Sequence, residues 1–310
     1  MAPPFFWPAS ARSRSSRVVA SEVGYPVRVI RPQLVNSFQH AALSPEPDLA
    51  VAALMIARIE YPKLDAGPYL DQLDEIGREA ERRIAAAEPM DEATPPDVDP
   101  ERYAQVLALN KYLFGEMRFV GNEQHYEDPR NSFLNEVLDR RTGIPVTLAL
   151  VYLEIARRAG LHVEGVNAPR HFLLRCRARR GLPYDDLIID AFHGGALLAP
   201  EPQLMPRATK LQILVRVLIN LKQLYVRMHS FPQARDITEL LIAVDPSALN
   251  ELRDRGLLAY HLKDFSAALR DLQTYLQLTS SGELNESQRE EHEKIWEHVK
   301  TLRKRVASLN

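Results

Sequence analysis

Two stretches of this chain repeat each other at an offset of 34 residues. Phe231 answers to Phe265, Ala234 to Ala268, Leu241 to Tyr275 and Val244 to Leu278. Gly256 lies twelve residues before Ala268, and Pro246 lies twelve after Ala234. A fixed period of this length is the mark of a helix–turn–helix unit with a small residue in its first helix and a closing proline. Such a unit cannot bury its apolar face alone, and about three are needed before an array stands by itself. The repeat therefore obliges this segment to dock on the chain before it. Leu211, Leu214, Leu218, Leu221 and Tyr225 open the helical segment at three- and four-residue spacing, and Ile295, Val299, Leu302 and Val306 supply a last, capping helix.

The preceding chain has a different texture. Leu148, Val151, Tyr152, Ile155, Ala156 and Ala159 form a wide apolar stripe, which predicts a helix from about Thr147 to Ala159. Arg157 and Arg158 suit the negative end of its dipole, and Gly160 stops it. Short strands follow at His162–Val166, His171–Cys176 and Leu187–Phe192, the last two joined as a hairpin. Helix followed by antiparallel strands is an α+β arrangement. Upstream, helical spacing begins near Asp48 and stops at Tyr61-Pro62, where the proline disfavours helix in the residue before it. A second helix runs through Leu70, Leu73, Ile76, Ala80 and Ile84, and a third carries Val106, Leu107, Asn110, Leu113 and Phe114. An acidic, proline-rich loop is expected between them, over 88–100.

Composition narrows the function classes. One cysteine in 310 residues excludes an intramolecular disulfide and any zinc site built on paired cysteines, and leaves Cys176 as the one thiol. A net charge of −2 gives no general case for nucleic acid. No stretch approaches the ~20 apolar residues of a membrane span. Residues 1–45 stand apart: five arginines face one acid, Glu22, among serines and prolines. They are expected to form a basic, disordered extension, although an Arg/Ser-rich, acid-poor start also has the composition of a transit peptide. The expected division is that extension, then 46–205, then 206–310.

Three pieces bear on chemistry: the helix start Gly143-Ile144-Pro145-Val146-Thr147, the strand start His171, and the strand Ile188-Ile189-Asp190. Their order resembles the transglutaminase-like, papain-related core, in which a Cys opens a helix, a His begins a following strand, and an Asp on the next strand orients that His. The logic is a thiolate stabilised at a helix N-terminus and paired with a histidine. Further motifs occur in order: Asp128-Pro129-Arg130-Asn131-Ser132-Phe133-Leu134-Asn135-Glu136-Val137-Leu138, Arg140-Arg141-Thr142-Gly143-Ile144-Pro145, Glu164-Gly165-Val166, and Glu251-Leu252-Arg253-Asp254-Arg255-Gly256. With these the chain, over about residues 46–280, resembles the bacterial SirB-type family, which joins a transglutaminase-like domain to tetratricopeptide repeats and has a relative among F-box proteins. The resemblance implies an α+β transglutaminase-like domain followed by an all-α tetratricopeptide-like domain in a cytoplasmic protein.

It also implies a missing nucleophile. Fifteen residues before Gly160 stands Pro145, so Gly143-x-Pro145 takes the place of Gly-x-Cys. Proline has neither nucleophile nor N–H and suits the first turn of a helix. Cys176 is five residues past His171, an odd offset that puts it on the opposite strand face. Thr147 reads as a first-turn capping residue. No confident catalytic residue remains: His171 and Asp190 are a remnant dyad, a polar anchor first and an acid/base pair second. The spacing of His162, His171, His193 and Asp190 matches no metal motif, so no metal and no cofactor is expected. Gly194-Gly195 is a turn. Arg140-Arg141 and Arg253-Asp254-Arg255 are candidates for a polar seam between the domains, with a solvated face as the alternative. The leading expectation is a pseudoenzyme that binds an unidentified protein partner through its repeats or its remnant cleft, without nucleic acid or membrane. The alternatives are a hydrolase or acyl transferase using His171 and Asp190, and a small-molecule binding protein.

Overall fold

The structure is a computed structural model that describes residues 30–89, 94–168, 171–198, 206–280 and 285–308. Order begins earlier than the sequence suggests. Helix α1 (Pro32–Ala42) opens on a proline in its first turn and buries Phe38 and Ala42. It is held to the far end of the chain, where Gln39 Nε2 donates to Ala243 O at 2.7 Å and Ile30 N donates to Asp236 Oδ1 at 3.2 Å. The disordered extension expected over 1–45 therefore fails for residues 30–45, because Phe38 has an apolar surface to reach. Residues 1–29 lie outside the described residues.

Helix α2 (Leu49–Ala57) is capped by Asp48, which accepts from Val51 N, and is apolar almost all round. Such a helix must be buried on every side, and seven of its residues are. Helix α3 (Gly67–Ala85) buries the expected stripe of Leu73, Ile76, Ala80 and Ile84. Helix α4 (Pro100–Asn110) starts where a loop was expected to end. Asp99 caps it, accepting from Glu101 N and Arg102 N, and it continues as one π-helical stretch over Lys111–Glu116.

Strands β1 (Val120–Gly121) and β2 (Thr142–Gly143) pair in parallel around helix α5 (Leu134–Arg140). Helix α6 (Pro145–Arg158) follows and is buried along nearly its whole length. Then come β3 (Val163–Val166), β4 (Leu173–Cys176), β5 (Leu187–Asp190), β6 (Ala196–Leu198) and β7 (Arg207–Ala208). They make one antiparallel sheet in the order β6-β5-β4-β3-β7. Strand β7 pairs with Gly165 and Val166, which carries the sheet past the boundary expected at residue 205.

Helices α7 (Lys210–Arg227), α8 (Phe231–Val244), α9 (Leu249–His261), α10 (Phe265–Thr279) and α11 (Glu286–Ala307) complete the described chain. The repeat has its expected form: α8 and α10 begin on Phe231 and Phe265, and Ala234 and Ala268 are both fully buried. A Cβ on Gly256 would lie 2.8 Å from the Leu272 side chain, so α9 and α10 need that glycine to approach. The equivalence ends at Leu278, which is exposed where Val244 is buried. The first hairpin, α7 and α8, shares one core with α1–α6 and the sheet, whereas Leu257, Leu272, Tyr275, Ile295, Val299 and Leu302 form a second core among α9, α10 and α11.

Between those cores lies a buried charge network. Lys222 Nζ on α7 donates to Glu251 Oε2 at 2.6 Å and Asp254 Oδ2 at 2.7 Å on α9. Arg253 pairs with Asp254 and Glu291, and Arg255 with Asp271 and Glu239. Arg140 pairs with Asp128, and Arg141 lies over the Phe119 ring. The two arginine pairs thus serve separate parts of the molecule. The polar seam expected between them does not form, because Arg253 and Arg255 pair within the repeat helices while Arg140 and Arg141 stay with Asp128 and Phe119.

Two predictions follow from these charges. Lys222 is 11% exposed. Lys222→Ala takes the ion-pair partner from buried Glu251 and leaves Asp254 to Arg253, and should destabilise the protein by about 3–5 kcal/mol in a urea titration. The second concerns acid. Burial opposes ionisation of Asp99 and Glu164, but the arginines around each outweigh it: Arg179 with the Arg102 N–H for Asp99, and Arg177 with Arg175 for Glu164. Both carboxyls sit below their ordinary range. Their stabilisation is therefore complete above the unfolded-state values of about 4 and is lost as pH falls from there through the lowered folded-state values. The melting temperature should fall as the pH drops below about 4, and Asp99→Asn should flatten the drop.

Candidate functional site

Strand β5 ends on Asp190, and the chain then turns back through Phe192, His193, Gly194 and Gly195. The turn is built by Asp190 itself. Its Oδ1 accepts from Phe192 N at 3.0 Å and from His193 N at 3.3 Å, and its backbone oxygen accepts from Gly195 N at 2.8 Å. Gly194 and Gly195 take φ of +66° and +78°, the left-handed region that glycine enters freely. The expected Gly-Gly turn is therefore present. Asn110, the last residue of α4, backs it by donating from Nδ2 to Gly195 O at 2.7 Å.

The other carboxylate oxygen takes both histidines. His171 Nε2 and His193 Nδ1 each lie 2.7 Å from Asp190 Oδ2. Burial works against the charge on Asp190, but the hydrogen bonds from His193 and His171 overcome it and hold the carboxyl below its usual range. An ionised carboxylate can only accept, so each ring nitrogen carries its proton toward the shared oxygen. The Asp190 side chain is 6% exposed, His171 27% and His193 55%. The pair therefore sits at a surface opening with its acid at the bottom.

The start of α6 belongs to the same end of the domain. Ile144 is the N-cap residue, Pro145 occupies the first turn, and the Thr147 hydroxyl accepts from Ile144 N at 3.1 Å while donating to Asn131 O at 2.6 Å. Asn131 is fully buried and acts as a hub: its Nδ2 donates to His125 O, and its Oδ1 accepts from Asn122 Nδ2. Asn122 N in turn donates to Gly143 O. Gly121, paired with Gly143, lies against Phe192, and a Cβ there would stand 2.5 Å from Phe192 O. An unbroken run of contacts thus joins Pro145 and Thr147 to the turn that carries His193. Val120 and Tyr126 are exposed beside it, with the Tyr126 ring edge-on to Phe192 at 6.1 Å.

Cys176 lies elsewhere. It ends β4, paired with Val163 and Leu187, and is wholly buried; burial pushes its thiol up to about 11. His162 also stays outside the cluster of His171, Asp190 and His193. Reading the residues as a dyad left His193 out, although its place three residues after a strand-ending Asp is a local signal. Asn110 gave no signal, since it meets Gly195 across 85 residues.

Comparison with known proteins agrees with this anatomy. A model described as the transglutaminase-like superfamily matches residues 68–206, and a tetratricopeptide repeat model matches 221–295. A UPF0162 protein of Xylella fastidiosa strain Temecula1 is 37% identical over 255 residues, covering 75% of this chain and 84% of that protein.

The chain belongs to the UPF0162 family.

The expected pairing of a transglutaminase-like domain with tetratricopeptide repeats is thus present in this chain. Another UPF0162 protein, from Vibrio cholerae, is 28% identical over 56% of this chain and 69% of its own length. Human F-box only protein 21 is 31% identical over 209 residues, 59% of this chain but 33% of that longer protein. Among solved structures, menin is similar at 13% identity and a TM-score of 0.42, covering 86% of this chain and 74% of that one, too loose a likeness to carry an argument.

The role of Thr147 in this UPF0162 protein can be checked directly. Thr147→Val keeps the shape but leaves Asn131 O and Ile144 N without their hydroxyl partner. It should cost about 1–3 kcal/mol of stability by thermal or urea unfolding.

Proposed function

We propose that this protein is a non-catalytic interaction or regulatory protein built on a transglutaminase-like domain that has no nucleophile. The observation that carries the reading is Pro145. It stands in the first turn of α6 where a cysteine would have to open the helix, and it offers neither a nucleophile nor an N–H. Neighbouring groups do not replace it. The Thr147 hydroxyl is spent on Asn131 O and Ile144 N, and the Cys176 thiol is buried in the sheet. What remains is a histidine–aspartate pair open to solvent on the His171 side, with an exposed apolar rim at Val120 and Tyr126 beside the Phe192 turn. Tetratricopeptide arrays generally mediate protein interactions through the groove their stacked helices create. The partner is accordingly a protein, engaged through the remnant cleft and the repeats, and a cytoplasmic setting goes with that reading. No helix among the described residues is long and apolar enough to cross a membrane.

The 2.7 Å contact between His171 and Asp190 favours a second reading, a hydrolase or acyl transferase of altered chemistry. Hydrolysis there needs a water activated by His171, since acyl transfer without a nucleophilic side chain has no covalent route.

One paired experiment separates the two. The full chain, its His171→Ala variant and a Val120→Ser/Tyr126→Ser variant are used to capture partners from an extract, while the same proteins are assayed on amide and ester substrates. The interaction reading expects the same discrete partner from wild type and His171→Ala, about tenfold weaker or lost binding in the rim variant, and no turnover. Turnover by wild type that disappears in His171→Ala would overturn it in favour of the enzyme.

A further inference from the structure

His171, Asp190 and His193 bring three potential metal ligand atoms within 4.8 Å of one another, and we infer that they form a binding site for a divalent first-row transition metal. This goes beyond the interaction reading and does not depend on it. A carboxylate that only orients a catalytic histidine needs one imidazole. Here one oxygen, Asp190 Oδ2, serves two, each at 2.7 Å, and the second imidazole has no part in the acyl-transfer arrangement. Two imidazole nitrogens and one carboxylate oxygen, with an open side, are the donor set of three-ligand zinc and related sites.

The surroundings suit that role. Asp190 Oδ1 is already held by the N–H groups of Phe192 and His193, so Oδ2 is fixed in place as a ligand. Glu123 Oε1 lies 4.0 Å from the far nitrogen of His193, Nε2, beyond hydrogen-bond distance, and adds a negative charge beside the site. Metal–ligand bonds of about 2.0–2.1 Å set tetrahedral neighbours roughly 3.3 Å apart. Each nitrogen therefore has to move out from Asp190 Oδ2 by about 0.6 Å, and the two nitrogens have to settle at the same spacing from each other, on the same bond lengths. His193, more than half exposed, can supply that movement, and the solvent side leaves a position for water. The two protons now on the ring nitrogens leave to solvent as the metal takes their place. Expecting no metal from the sequence rested on spacing along the chain. It included His162, which the fold leaves out, and it could not see the shared oxygen.

The test uses the full chain without a histidine tag, stripped with a chelator and titrated with Zn2+ and with Co2+. The expected result is one equivalent of Zn2+ bound, with Co2+ giving the visible absorption of a low-coordinate site. His193→Ala and His171→Ala should each weaken binding by at least about tenfold, while His162→Ala leaves it unchanged. His193→Gln, which keeps the bulk, provides the same loss if the alanine variant folds poorly; circular dichroism checks the fold. Mg2+ should not compete, because two imidazoles suit it badly. Absence of stoichiometric binding, binding that survives His193→Ala and His193→Gln, or displacement of Zn2+ by equimolar Mg2+ would each overturn the proposal.

Discussion

Everything in this molecule depends on covering the apolar faces of α7 and α8. Two helical hairpins do not make a self-sufficient array, so the first of them is spent on the neighbouring domain. Leu214, Val217, Leu218, Leu221, Ile237 and Leu241 enter the same core as Ile56, Val137, Ile155 and Leu174. That union makes α1 fold as well, since Phe38 and Ala42 complete the surface against α8. The second hairpin and α11 keep a core of their own, and Lys222 joins α7 to α9 by standing between two buried carboxylates. Removing either partner of such a group is costly because the charge left behind has no solvent to turn to.

The candidate site obeys a different constraint: buried polar groups must be satisfied. Asn131, Thr147 and Asp190 each accept or donate along routes that cross between elements. Asn131 holds the 122–131 loop against the start of α6, and Thr147 closes that start. Asp190 builds the turn after β5 and then gathers two histidines. A proline at position 145 fits this arrangement without loss, because the first turn of a helix has no use for its N–H. The helix start is thus complete as structure, with the Thr147 hydroxyl held between Ile144 N and Asn131 O.

Much of this was legible along the chain. The α6 stripe from Leu148 to Ala159 has the period of a helix and became one. Phe231 and Phe265 marked two helices that begin alike, and the order of Gly143, His171 and Asp190 named the family's layout. The illegible parts share a cause. Helix α1 has its apolar residues next to an Arg/Ser-rich stretch, and nothing local says that Phe38 will meet α8. Strand β7 is two residues long and exists only because Gly165 and Val166 offer it a partner. Leu278 looks like Val244 at the same repeat position but is exposed where Val244 is buried.

The sequence by itself determined the helical periods, the repeat, the single cysteine and the proline that opens α6, because each is a property of residue type and spacing. Tertiary structure alone decided that the repeats share a core with the α/β domain, that Asn110 supports Gly195, and that His193 joins His171 on one oxygen of Asp190. These are meetings between residues far apart in the chain, and their energy comes from burial and hydrogen-bond satisfaction, which no local pattern encodes.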